Sequence, residues 1–149
     1  MLTRDELIAR LEPVLNSPRL TETVAALYLF GSYAAGRQTP LSDIDLAVLF
    51  DTSLEKETYL PERLRLLGEM STVLGTDAVE LVVLNEAPPA LGYRVTRDGL
   101  LLYASGNSNS QLVNFKVKTW DRYFDYEPTQ RIFSAGLARR IQEGRFGGR

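Results

Sequence analysis

The sequence predicts an α/β chain in which about four short strands form one buried sheet flanked by helices. Residues 24–30 (VAALYLF), 44–50 (IDLAVLF) and 78–84 (AVELVVL) are apolar, β-compatible runs too short for helices of ordinary length. Between the second and third, Leu60, Leu64, Leu67, Met70 and Leu74 recur at helical spacing and Gly75 follows, which predicts a strand–helix–strand crossover. At 149 residues, 44% of them apolar and 24% charged, the chain suffices for one domain with a real core and not for two.

The remaining elements follow from the same patterns. Leu7, Ile8, Leu11, Val14 and Leu15 repeat at helical spacing behind Thr3, a cap with Glu6 three residues on, and Pro18 follows the stop. Ala87 to Val95 is expected as a short helix opened by Pro88 and Pro89, and Leu100 to Tyr103 as a fourth strand. After the polar break SGNSNS at 105–110, Val113, Val117, Trp120 and Phe124 mark a further helix, and Pro128 is expected to start a last one. The chain thus divides into a core over about 1–105 and a helical C-terminal extension over about 109–145 of a single domain, 1–149. Trp120, Tyr123, Phe124 and Tyr126 read as core of that extension.

Composition excludes several chemistries. The chain has neither cysteine nor histidine, so disulfides, thiolate and imidazole metal ligands, and Ser-His or Cys-His catalysis are ruled out. Any metal must be held by oxygen. No apolar run approaches the roughly 20 residues that span a bilayer, and the N-terminal MLTRDELIAR lacks a signal-peptide core, so a cytoplasmic protein without membrane contact is expected. The net charge of -2 conceals an asymmetry, because residues 131–149 hold five arginines against the single acid Glu143. Such an end either meets an acidic partner or is simply solvated.

The stretch YLFGSYAAGRQTPLSDIDLAVLF, residues 28–50, concentrates the chemistry. Alternation along a strand sends Asp43 and Asp45 to one face and Ile44 and Leu46 to the other. Two carboxylates side by side repel, and a divalent cation relieves them; with oxygen ligands alone, Mg²⁺ fits, since it prefers one or two carboxylates completed by water and phosphate oxygens. Gly31 lets backbone approach a phosphate closely, while the Ser32 hydroxyl and the amides after it donate to phosphate, the more so if a helix begins nearby. Glu80 lies within the third run. If that run neighbours the second, three acids are placed to hold two Mg²⁺ ions, an arrangement suited to in-line transfer of a nucleotidyl group. A lone Asp-x-Asp is usually a loop or solvated strand end, and Glu80 alone also reads as a surface acid on an edge strand. The conjunction of Gly-Ser, ten residues and Asp-x-Asp between apolar runs, with an acid in a third, is what carries the reading.

That conjunction resembles the nucleotidyltransferase superfamily related to DNA polymerase β. Taken with AVELVVLNEAPPALGYRVTRDGLLLY and YFDYEPTQRIFSAGLARRIQEGRFG, it is similar over nearly the whole chain to the minimal nucleotidyltransferase (MNT) antitoxins, partners of HEPN-domain ribonuclease toxins. The resemblance implies a polymerase-β-like α/β (α+β) fold with a small mixed sheet and a helical C-terminal extension. It also implies Gly31 and Ser32 as the nucleotide-phosphate turn, Asp43 and Asp45 as the metal pair, Glu80 as the third catalytic acid, Mg²⁺ as cofactor and ATP as substrate. The implied activity is transfer of AMP to a tyrosine of the HEPN toxin, with no direct nucleic-acid binding. Two positions depart from the pattern: the third acid, commonly Asp, is Glu80, and Ala35 stands where many relatives carry a basic residue before the glycine. Two alternatives remain, an antitoxin acting by contact alone and a small-molecule nucleotidyltransferase of the antibiotic-modifying kind. The latter generally adds a substantial helical domain, whereas 44 residues follow Ser105 here, enough for two helices.

Overall fold

The structure is a computed structural model and describes residues 2–106 and 109–138, with side chains as far as residue 125. The first helix, α1 (Arg4–Leu15), begins where the sequence predicts. Glu6 N–H donates to Thr3 Oγ1 at 3.1 Å and Thr3 N–H donates back to Glu6 Oε1 at 2.9 Å, a reciprocal cap satisfying two otherwise orphaned amides. Pro18 does more than follow the stop. With Ser17 as its cap it opens a second short helix, α2 (Pro18–Thr23), a role for which its fixed φ and missing N–H suit it.

The strands are β1 (Val24–Phe30), β2 (Ile44–Phe50), β3 (Val79–Val83) and β4 (Leu100–Ala104), in the order β3-β2-β1-β4. β1 runs antiparallel to β2 and β4, and β2 parallel to β3, so the sheet is mixed. The parallel pair is joined by α4 (Tyr59–Leu74), the predicted crossover, whose C-cap is Gly75.

Alternation along the central strands feeds two cores. Ile44, Leu46, Val48 and Phe50 face α1 and α4, packing with Leu7, Leu11, Leu66 and Met70; Ala47 and Leu49 face the opposite side, with Val95 of α5 (Pro89–Asp98) and Leu112 of α6 (Asn109–Ala138). Each fully buried leucine contributes about 1.5–3 kcal/mol, so burial on both faces explains why β1 and β2 read as continuous apolar runs.

Three expectations are corrected. Leu60 and Leu64 are 61% and 54% exposed, because the buried stripe of α4 is Glu62, Leu66, Met70 and Leu74. Glu62 takes its place on that stripe through ion pairs with Arg19 of α2 and Arg65. Among the described residues no new helix starts at Pro128: α6 runs through it to Ala138, since the loss of one N–H does not end a helix with several turns on either side. Nor is Val113, Val117 and Phe124 its buried stripe; these are about half exposed, and α6 docks through Leu112, Thr119 and Trp120. Trp120 Nε1–H donates to Thr96 Oγ1 of α5 at 2.8 Å, and a Cβ on Gly92 would stand 2.9 Å from Thr119 Cγ2, so a larger residue there would force the Thr119 side chain to shift. Trp120, Tyr123 and Phe124 gather round Tyr93, which stacks on Tyr123 at 4.2 Å. The Tyr126 side chain, the side chains of the arginine-rich end and the expected extension beyond 138 lie outside what is described.

Candidate active site

β1 ends at Phe30, and the chain turns at once into a five-residue helix, α3 (Gly31–Ala35). Gly31 makes the turn possible with φ of 75°, a left-handed value that glycine adopts at little cost. Tyr33 anchors α3 by burying its ring in the core beneath α1, and Arg4 Nη1–H of α1 donates to the Ala34 carbonyl at 2.9 Å. The helix closes at Gly36, where Arg37 N–H donates to the Ser32 carbonyl at 2.8 Å. Phe30, at the cap position, has no side-chain oxygen to occupy the first amides of α3. The half-buried Ser32 therefore sits at a strand-to-helix turn whose first N–H groups are uncapped by any side chain.

The loop back into β2 is held by Thr39 and Ser42: Thr39 N–H donates to Ser42 Oγ at 2.8 Å and Ser42 N–H to the Thr39 carbonyl at 3.0 Å. Ile44 N–H then donates to the Ala78 carbonyl at 2.9 Å, joining the start of β2 to β3. Asp43 is exposed and immediately precedes β2, while Asp45 is half-buried within it. Ile44 and Leu46 pack into the α1/α4 core, which leaves Asp45 on the α5/α6 face as alternation requires.

The sheet order answers the question about Glu80. Asp45 pairs in register with Phe30 on one side and Glu80 on the other, so Phe30, Asp45 and Glu80 form one row across three strands. Glu80 is thus beside Asp45 at the strand spacing of about 4.8 Å, and it is also an exposed residue on edge strand β3. Its position on an edge strand and its adjacency to Asp45 thus coexist, and it bears no cost of burial.

The electrostatics follow from this geometry. Partial burial pushes the Asp45 carboxyl above its ordinary value, and the negative charges of Asp43 and Glu80 add to that rise. Contact with α3 is equally close: a Cβ on Gly31 would overlap Asp45 Oδ2 and stand 3.1 Å from its Cγ. The phosphate-type turn and the middle acid are therefore in van der Waals contact.

The donor set fits a hard divalent cation, since oxygen carboxylates with unrelieved mutual repulsion are what such an ion binds. A preformed three-acid clamp for two ions is not found. Among the described residues no three acidic side chains are gathered closely enough to hold a metal unaided; Asp43 and Glu80 are exposed and Asp45 is half-buried. A cation here would complete its shell with phosphate oxygens and water.

Beside Gly31 lies a cleft of about 540 Å³, which no sequence pattern indicated. Phe30, Gly31 and Arg37 form one wall and Leu91, Arg94 and Asp98 of α5 the other. Arg37 was visible in sequence as the nearest cation after Ala35, but Arg94 reaches the site only through the docking of α5.

Comparison with known proteins identifies the family and the fold. A family model described as polymerase beta nucleotidyltransferase matches residues 14–108. The protein adenylyltransferase MntA of Shewanella oneidensis is 35% identical over 108 residues, which make up 72% of this chain and 69% of that protein. A crystal structure of a toxin–antitoxin with AMP-PNP contains a chain that superposes with a TM-score of 0.62 at 29% identity, covering 91% of this chain and 98% of that one. The tri-AMPylated HEPN toxin of Shewanella oneidensis in complex with MNT antitoxin gives a TM-score of 0.59 at 26% identity, again over 91% and 98%.

Proposed function

Because the chain belongs to the polymerase β nucleotidyltransferase family, we propose that it is an MNT-type antitoxin that transfers AMP from ATP to a tyrosine hydroxyl of a HEPN-family toxin. The observation that carries the reading is the row of Asp45 and Glu80 on adjacent strands with Gly31 pressed against Asp45. The Gly-Ser turn beside two acids supports the reading that a phosphate is held there, and the kinship with an adenylyltransferase supports the reaction class.

In this reading the uncapped amides of α3 and the Ser32 hydroxyl bind phosphate oxygens and fix the triphosphate against the sheet. Asp43 and Asp45 would hold Mg²⁺ with Glu80 adjoining, and such an ion would supply charge stabilisation to the reacting phosphate. The acceptor oxygen bonds to the α-phosphorus, the bond from that phosphorus to the bridging oxygen of the β-phosphate breaks, and pyrophosphate leaves. The phenolic proton passes to a carboxylate of the row or to water. Glu80 is exposed on the edge strand and accessible from solvent.

The test is to incubate the protein with ATP, Mg²⁺ and a HEPN-family toxin and measure the intact mass of the toxin. The reading requires added AMP on a tyrosine, lost in EDTA and with Asp45→Asn. Full neutralisation of an unmodified toxin would instead establish an antitoxin that acts by contact.

A further inference from the structure

The cleft between α3 and α5 carries more positive charge than its lining first indicates. Its one acid, Asp98, is engaged by Arg97, whose Nε–H and Nη2–H donate to the two carboxylate oxygens at 2.9 Å each. That two-point pairing holds the Asp98 carboxyl below its ordinary range, with a smaller pull from Arg94. Arg97 is not part of the lining, so Asp98 is balanced from outside the cleft. Arg37 and Arg94 are both exposed, and neither guanidinium has a hydrogen-bond or ion-pair partner among the described residues. The cleft opens at Gly31, and its α5 wall stands on the sheet face that Asp45 occupies, since Leu91 and Val95 pack with Phe30, Ala47 and Leu49.

We propose that Arg37 and Arg94 bind the β- and γ-phosphates of the nucleoside triphosphate, clamping them from opposite walls of this cleft. The proposal rests on the nucleotidyltransferase reading. In that reading the phosphate that reacts lies at Asp45 and Gly31, where the carboxylates are; the two phosphates that leave together then extend away from the acids, and the adjoining cleft has two arginines in its lining. Guanidinium is suited to this task because its planar fork matches phosphate oxygens and its charge is permanent. The bond that breaks is the one between the α-phosphorus and the bridging oxygen, so these side chains would also stabilise the charge that develops on pyrophosphate. Position 35 carries no charge in this chain, and this cleft supplies cations from Arg37 and from a separate helix.

The probes are ATP, AMP and inorganic tripolyphosphate, each titrated with Mg²⁺ against the full chain and against Arg37→Gln and Arg94→Gln. Both side chains are exposed, and an unchanged melting temperature verifies that the variants fold. Each substitution should weaken ATP and tripolyphosphate about tenfold or more while AMP changes by less than about twofold, as loss of a charge-assisted contact to the outer phosphates requires. Arg94→Lys should recover part of the loss. Equal weakening of AMP and ATP would put the nucleoside in the cleft and overturn the assignment, as would unaltered ATP binding in both variants or wild-type protein that binds neither ATP nor tripolyphosphate. Failure of the broader reading looks different: wild-type protein would show the arginine-dependent binding yet transfer no AMP, whereas normal AMP transfer by both arginine variants would sink the clamp alone.

Discussion

Gly31 and Asp45 are in contact such that any side chain on Gly31 would occupy the position of the Asp45 carboxylate. The contact joins the turn after β1 to the middle of the acidic row, two places 14 residues apart in sequence and brought together by the Phe30–Asp45 pairing. Gly31→Ala must therefore either displace the carboxylate or open the turn, and the left-handed φ of 75° adds backbone strain of about 1–2 kcal/mol. The expected outcome is a modest loss of thermal stability with a much larger loss of AMP transfer. Retention of full transfer by Gly31→Ala would show that the Asp45 carboxylate need not lie against the turn.

Asp45→Asn should separate stability from activity. The folded-state pKa of Asp45 is raised above the ordinary 3.8 by partial burial and then by Asp43 and Glu80, so its ionised form is disfavoured in the fold. Below pH 3.8 the group is protonated folded or unfolded and imposes no cost. As pH rises above 3.8 the cost grows, it is complete once pH has passed the raised folded value, and it persists at neutrality. The asparagine variant should then melt higher than wild type at pH 7, with the advantage vanishing near pH 3, while transfer collapses. Melting curves at the two pH values and one transfer assay check all three statements.

Ser32→Ala removes a hydroxyl from the turn without disturbing Tyr33, which anchors α3. Loss of a hydrogen bond to a charged phosphate oxygen costs about 1–3 kcal/mol, equivalent to roughly five- to a hundred-fold in the Kd for ATP. Little change in melting temperature is expected, because the residue is only half-buried. Calorimetric titration of ATP showing the wild-type Kd in this variant would reduce Gly31-Ser32 to a structural turn.

Glu62 tests the fold away from the site. Burial raises its pKa, but hydrogen bonds from Arg19 and Arg65 outweigh burial and bring it below the ordinary 4.5. Its stabilising contribution is complete above pH 4.5 and is lost as pH falls through the lowered folded value. Glu62→Ala should cost about 1–3 kcal/mol at pH 7, since it leaves Arg65 short of a partner at the buried stripe of α4, and less at low pH. Denaturant unfolding at pH 7 and pH 3 measures the difference, and an equal loss at both would assign the effect to packing.

Local pattern carried much of this protein. Short apolar runs bounded by polar loops place β1, β2 and β3 because strands buried on both faces need no alternation, and Thr3 with Glu6 marks a helix start because the cap is made within four residues. The Gly-Ser and Asp-x-Asp motif is equally local, with both halves in one strand–turn–strand segment, so the family could be recognised before any fold was known. Periodicity was a weaker guide on α4 and α6. A stripe of leucines states that a helix has an apolar face without saying how it is rotated, and on α4 Glu62, held by Arg19 from another helix, took the inward place while Leu60 and Leu64 faced out.

What only tertiary structure decided is adjacency between distant segments. Asp45 and Glu80 became neighbours because β2 and β3 pair in parallel through α4, and Arg94 reached the cleft because α5 docks on the same sheet face as Asp45. Sequence spacing holds no information on sheet order or on which helix covers which face, since those are set by the summed burial of many side chains. The sequence by itself therefore named the candidate residues for phosphate and metal, and the packing of the sheet determined which of them meet.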